Sequence, residues 1–174
     1  MNLQELWESN KSEYRTDKGS GHNYLYKYSE LFADMRLKPI KLLEIGVYFG
    51  GSLKLWRDWF PHAQITGIDI SYGCLFQCYR IKTFLCNSVD PEQVKQKFNG
   101  KLFDIIIDDG SHKMEDQIQT FQNFKPFFKA GSYYIIEDLN PKENPDIFRV
   151  FRNLGFEMFE GGNKYDDFLA IYKA

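Results

Sequence analysis

From Leu37 onward the chain alternates between short apolar runs of strand length and amphipathic stretches of helix length. This alternation constrains the fold more than any other feature. Strands separated by helices form a parallel sheet covered on both faces. Residues 103–107 (FDIII) and 132–136 (SYYII) are apolar or aromatic apart from Asp104 and Ser132 near their starts, as expected of strands buried on both sides. Strands are expected at 40–45, 64–70, 82–86, 103–107, 132–136, 156–159 and 168–172. Helices are expected at 51–60, 74–80, 90–98, 113–127 and 146–154, with Ser52 and Asp90 as N-caps and Pro91 at a first helical position. The last two strands are joined by the polar loop 160–167 with no helix between them, so the final strand runs antiparallel. The expected fold is α/β: a Rossmann-like, doubly wound, seven-stranded sheet, mostly parallel with an antiparallel last strand.

A length of 174 residues is enough for one domain with a real core. The expected layout is an N-terminal helical cap segment over 1–36 and a core over 37–174, which leaves no room for a separate substrate domain. Lys plus Arg number 22 and Asp plus Glu 24, and this balance argues against a dedicated nucleic-acid binder. The first ten residues lack an apolar signal-peptide core, and no run approaches the ~20 apolar residues that span a bilayer. Three cysteines with no histidine nearby in sequence read as thiols of a reduced compartment, so a soluble cytoplasmic protein with no membrane partner is expected.

In open α/β sheets ligands bind at the carboxyl ends of strands, and the polar residues gather there. The first strand runs into Glu44-Ile45-Gly46-Val47-Tyr48-Phe49-Gly50-Gly51-Ser52. Such glycines let backbone approach a ligand, although a tight turn explains them equally well. Tyr48 stands where a dinucleotide fingerprint needs its second glycine, which counts against a nicotinamide enzyme. Asp69 ends the second strand, about 20 residues on, where a carboxylate can accept both ribose hydroxyls; it could equally cap the next helix. Asp108 and Asp109 end one strand and Glu137 and Asp138 the adjacent one. Four clustered carboxylates repel unless a cation offsets them, and hard oxygen ligands suit Mg²⁺; solvated helix caps are the alternative. His112, on the Asp109 loop, is a candidate general base, although most loop histidines are exposed or structural.

The ordered set EIGVYFGGS, GIDI, FDIIIDDGSH and YIIEDL resembles class I S-adenosylmethionine-dependent methyltransferases. More narrowly it is similar to the metal-dependent sugar O-methyltransferases of the macrocin and mycinamicin type, and Thr16-Asp17-Lys18-Gly19 followed by His22 and Tyr24 matches a segment before their catalytic sheet. The resemblance implies S-adenosylmethionine held by Thr16, Asp17, Lys18, Glu44, Gly46, Tyr48, Gly50, Ser52, Asp69, Asn87, Ser88 and Asp108. It implies Mg²⁺ on Asp109, Glu137 and Asp138, with His112 and Asp109 catalytic and His112 taking the proton of the acceptor hydroxyl. Asn87 departs from the Asp common in the family, which bears on cofactor affinity. The implied acceptor is a small molecule able to chelate the cation, such as a sugar or glycoside. A catechol-like acceptor, or cofactor binding without catalysis, are the competing readings. Acceptor choice then falls to the N-terminal segment, to strand-end loops, or to a second subunit of a homo-oligomer.

Overall fold

The computed structural model describes residues 1–162 and 164–174. Among these, eight strands form one sheet: β1 (Lys41–Ile45), β2 (Gln64–Asp69), β3 (Gln77–Cys78), β4 (Ile81–Leu85), β5 (Phe103–Asp108), β6 (Phe128–Ile136), β7 (Glu157–Glu160) and β8 (Phe168–Lys173). Their order is β3-β4-β2-β1-β5-β6-β8-β7. The five strands β4, β2, β1, β5 and β6 pair in parallel. β8 runs antiparallel to both β6 and β7, and β3 runs antiparallel to β4. The helices are α1 (Leu3–Ser9), α2 (Lys11–Tyr14), α3 (Tyr24–Leu31), α4 (Gly51–Trp59), α5 (Pro91–Phe98), α6 (Met114–Phe124) and α7 (Ile147–Asn153). None of the described helices is long and apolar enough to cross a membrane.

Side chains alternate across a strand, so the parity of a residue decides which layer it joins. Leu42, Ile105, Ile107 and Ile135 face one buried cluster, which contains Trp7 of α1, Tyr24, Leu25 and Tyr28 of α3, and Leu53, Leu55 and Trp56 of α4. Leu43, Ile45, Ile106, Tyr134 and Ile136 face the other, with Val94 and Phe98 of α5, Phe121 and Phe124 of α6, and Phe151 of α7. Many of the aromatic residues are spent here. Phe121 lies edge-on to Tyr134, Phe156 and Tyr172, with ring centroids at 5.2, 4.7 and 5.1 Å.

The doubly wound sheet and its antiparallel last strand agree with the sequence-based expectation, but the strand count is eight rather than seven. The extra strand is β3, where a helix over 74–80 was expected. A short 3-10 turn (Tyr72–Cys74) is followed by extended chain, because Thr83 ties both backbone groups of Phe76 and so pins the hairpin to β4. Arg80 turns that hairpin at φ 60, and its guanidinium donates to the carbonyls of Arg57, Phe60 and Ala63. Ser52 is not the N-cap of α4. Gly50 holds that position in the left-handed region, and Ser52 sits within the first turn. Asp90 does cap α5, accepting from the amides of Glu92 and Gln93. α6 stops at Phe124 and tightens into a 3-10 turn around Pro126, which cannot continue an α-helix.

Candidate active site

Strand parity sorts the acidic residues before any partner is considered. Glu44 shares the parity of Leu42, Asp109 that of Ile105 and Ile107, and Glu137 that of Ile135, so all three point toward the N-terminal layer. Lys18 meets them there. Its Nζ lies 2.6 Å from Asp109 Oδ2, 2.6 Å from Glu137 Oε2 and 3.5 Å from Glu44 Oε1, and its side chain is only 1 % exposed. Trp56 Nε1 donates to Glu44 Oε2 at 2.9 Å, and the Tyr28 hydroxyl donates to Glu137 Oε1 at 2.5 Å. Burial opposes the charge on Lys18, but Asp109, Glu137 and Glu44 outweigh it and hold the ammonium well above the ordinary lysine range. Burial also pushes Glu44 up to about 7 and raises Glu137, with Lys18 opposing both. Glu44 and Glu137 thus hold a proton more firmly than exposed carboxylates do, because burial disfavours their charge.

Asp108 has the opposite parity. It is buried on the α6 side, accepts a hydrogen bond from the Tyr134 hydroxyl at 3.0 Å, and is pushed up to about 7 by burial.

Above this floor, at the carboxyl ends of the parallel strands, lies a cavity of about 1030 Å³. That is the upper end of the range for small-molecule sites. Asp17, Gly46, Tyr48, Ser52, Asp69, Asn87, Ser88, Asp109, His112 and Asp138 line it. Of the other expected residues, Thr16, Lys18, Glu44, Gly50, Asp108 and Glu137 are not part of the wall. Lys18, Glu44 and Glu137 form the buried network beneath it, and the Thr16 carbonyl accepts from Trp7 Nε1.

Asp69 organises one end of the cavity. Its Oδ2 accepts from the amides of Val47 (2.9 Å) and Tyr48 (3.2 Å), and its Oδ1 from the amide of Ser71 (2.8 Å). A carboxylate has about four lone-pair sites, so after these three amides capacity remains for a hydroxyl donor. Gly46 at φ 91 is required by this geometry, because a Cβ there would overlap the Asp109 carbonyl. A Cβ on Gly51 would likewise overlap the Tyr14 carbonyl, so the glycine run also lets α2 close onto α4. Tyr48 holds a left-handed φ of 49, and its ring and that of Phe49 stand exposed with centroids 4.0 Å apart. Asn87 Oδ1 accepts from the Val89 amide, and the Ser88 hydroxyl pairs with Thr120 at 3.1 Å.

At the other end, Asp109, His112 and Asp138 each offer a ligand atom within 4.8 Å of the others. His112 Nδ1 lies 3.9 Å from Asp138 Oδ2, and the Tyr24 hydroxyl donates to Asp138 Oδ1 at 2.8 Å. Asp138 sits at φ 56, a sparsely populated conformation for a non-glycine residue. His22 braces the back of this loop, with Nδ1 2.5 Å from Asp167 Oδ1 and 3.6 Å from Asp138 Oδ1, and Nε2 3.4 Å from Asp17 Oδ2.

Sequence reasoning did not single out Arg15, which lines the cavity, or the partners Tyr28 and Trp56. Arg15 had a readable signal, a cation directly before Thr16-Asp17. Trp56 and Tyr28 read as apolar helix faces, and the segment 24–32 also as a lid, an acceptor wall or a dimer contact.

The donor set fits the two groups the resemblance implies. The cavity is roomy enough for a nucleoside-sized cofactor, with an acidic acceptor at the end of β2, and hard oxygens converge at the end of β5 and after β6.

The chain is similar in sequence and in fold to known methyltransferases. Mycinamicin VI 2''-O-methyltransferase from Micromonospora griseorubida is 34% identical over 139 residues, covering 74% of this chain and 34% of that protein. Demethylmacrocin O-methyltransferase from Streptomyces fradiae is 34% identical over 139 residues, covering 74% and 35%. The chain thus spans about a third of the length of these curated relatives. Among solved structures, the MycE methyltransferase of the mycinamycin biosynthetic pathway, in complex with Mg, SAH and mycinamycin VI, superposes with a TM-score of 0.81 at 27% identity. That match covers 100% of this chain and 54% of the other. The profile described as rhamnosyl O-methyltransferase/CmcI matches residues 22–165, from the His22 brace through the sheet to the β7–β8 loop, so the chain belongs to the rhamnosyl O-methyltransferase/CmcI family.

Proposed function

We propose that this chain is an S-adenosylmethionine-dependent O-methyltransferase unit that acts on a sugar hydroxyl with the help of Mg²⁺. The observation that carries the reading is one cavity with Asp69 at one end and the Asp109, His112 and Asp138 cluster at the other. A cofactor whose ribose hydroxyls bond Asp69 would lie against Gly46 and Tyr48, with its base toward Asn87 and Ser88 and its methionine end toward Ser52 and Asp17. Of the three carboxylates expected to hold Mg²⁺, Asp109 and Asp138 face the cavity and Glu137 stands behind them. When bound, the cation supplies positive charge that orients and acidifies a chelating hydroxyl.

The remaining work falls to protein groups. Asp109 and Asp138 hold the cation. His112 presents Nδ1 to Asp138, which leaves Nε2 to take the acceptor proton. The glycine turn and Asp69 would fix the cofactor, and the transfer needs acceptor oxygen and methyl carbon about 3 Å apart and in line. The family to which the chain belongs is named for rhamnosyl O-methylation, and a vicinal diol is the chelating group such an acceptor offers.

Calorimetric titration with S-adenosylhomocysteine tests the cofactor half of this reading. Wild-type protein should bind, and Asp69→Ala should weaken binding at least about tenfold, since a site built to bond hydroxyls discriminates strongly. Equal affinity in the two proteins would remove the cofactor assignment.

A further inference from the structure

Arg15 lines the cavity, and the chemistry proposed above leaves it without a task. Its backbone is tied down. Its amide donates to the Lys11 carbonyl at 3.2 Å, Trp7 Nε1 donates to the Thr16 carbonyl at 3.3 Å, and the hydroxyl of the preceding Tyr14 donates to Asp58 Oδ2 on α4 at 3.1 Å. The Arg15 carbonyl carbon lies 3.0 Å from where a Cβ on Gly51 would stand, so the glycine that opens α4 lets this turn rest against the start of the helix. Held there, Arg15 adopts a φ of 26, in the left-handed region that glycine ordinarily fills. A long side chain kept at such a position points to a use for the side chain. The residue is exposed, and among the described residues its guanidinium has no ion-pair partner.

The wall around it is acidic. Asp17, Asp69, Asp109, Asp116 and Asp138 line the cavity, and Lys113 is the other lysine or arginine among the described wall residues. Lys113 follows His112 on the loop after β5, at the end assigned to the cation. Lys18 is buried beneath the wall and is taken up by Asp109, Glu137 and Glu44. Arg15 belongs to the other end, on the segment of Asp17 and against the glycine that precedes Ser52. In the proposed pose the amino-acid end of the cofactor points to Ser52 and Asp17. Its α-carboxylate would there meet the charge of Asp17 with no cation but Arg15 to offset it. A guanidinium suits that group, because its planar fork can give a carboxylate two parallel hydrogen bonds. We infer that Arg15 binds the α-carboxylate of S-adenosylmethionine and so selects a cofactor with an intact amino-acid group. This rests on the proposed cofactor site and adds to it the residue that holds the charged end.

The test is calorimetric titration with S-adenosylhomocysteine and with its decarboxylated analogue, which keeps the adenosine, the thioether and the amine. Wild-type protein should bind S-adenosylhomocysteine about tenfold more tightly than the analogue, the scale of a hydrogen bond to a charged group. Arg15→Gln should lose that preference, with S-adenosylhomocysteine bound about tenfold more weakly and the analogue within about twofold of wild type. Arg15→Gly is the folding control. Glycine accepts the left-handed φ, so this variant should melt at or above the wild-type temperature and show the same lost preference. The analogue is the internal reference, since a damaged site weakens both ligands alike. No preference in the wild type, a preference kept in both variants, or equal weakening of both ligands would overturn the inference while leaving the cofactor site standing. Failure of the wild type to bind either ligand would overturn both.

Discussion

Lys18 Nζ stands 2.6 Å from Asp109 Oδ2, across 91 residues of sequence, and is the buried cation that ties the N-terminal layer to the end of β5. The same ammonium bonds Glu137, so one side chain holds together the ends of two adjacent strands. Removing it leaves buried carboxylates without a counter-charge, and breaking a buried pair in this way costs about 3–5 kcal/mol. Urea denaturation of Lys18→Met should show a loss of that size. A loss below about 1 kcal/mol would mean that water enters the cluster and screens it.

His22 makes stability depend on pH. Its hydrogen bond with Asp17, opposed by burial and aided by Asp138 and Asp167, raises its pKa from 6.5 to about 9. Asp17, held chiefly by the same bond, falls from 3.8 to about 2. A group whose folded pKa is raised contributes fully below its unfolded value and loses that contribution as pH rises through the folded one. The His22 contribution is thus complete below pH 6.5 and drains away toward pH 9, while that of Asp17 is complete above 3.8 and is lost toward 2. Metal-free protein should melt at progressively lower temperature from pH 6.5 to 9, and His22→Gln should flatten that slope. An unchanged slope in His22→Gln would assign the effect to other groups.

Gly46 allows the end of β1 to pass against the Asp109 carbonyl, at a φ of 91 that side chains rarely adopt. Gly46→Ala should cost roughly 1–3 kcal/mol from backbone strain alone. It should also displace Asp109 and so weaken Mn²⁺ binding. Chemical denaturation together with Mn²⁺ titration checks both, and wild-type values in each would show that the turn relaxes freely.

The order of the elements was legible because its signal is local: apolar runs, a capping aspartate before Pro91, and a polar loop joining the last two strands. The candidate site was legible for the same reason, since parallel strands gather their carboxyl ends and Asp69, Asp109 and Asp138 line the cavity there. β3 was not legible. It is two exposed residues with no apolar alternation, and a side-chain contact from Thr83 specifies it. The split between wall and floor was hidden as well. Glu137 and Asp138 are neighbours in sequence, yet their surroundings are decided by Tyr28 and Tyr24, 109 and 114 residues away. A helical period can assign those rings to a core, but where a hydroxyl points depends on the element packed against it.

The proposed reaction is metal-assisted methyl transfer to a sugar hydroxyl at Asp109, His112 and Asp138. The most direct measurement is transfer of labelled methyl from S-adenosylmethionine to a panel of rhamnosides and related glycosides, with product identified by mass spectrometry. It is run with Mg²⁺, with chelator, and with the variants His112→Ala and Asp109→Asn. The expected result is a methylated sugar in Mg²⁺ that is lost on chelation, with turnover reduced at least about a hundredfold in each variant, the scale on which general acid–base groups contribute. Turnover that survives chelation and is unchanged in both variants would contradict it.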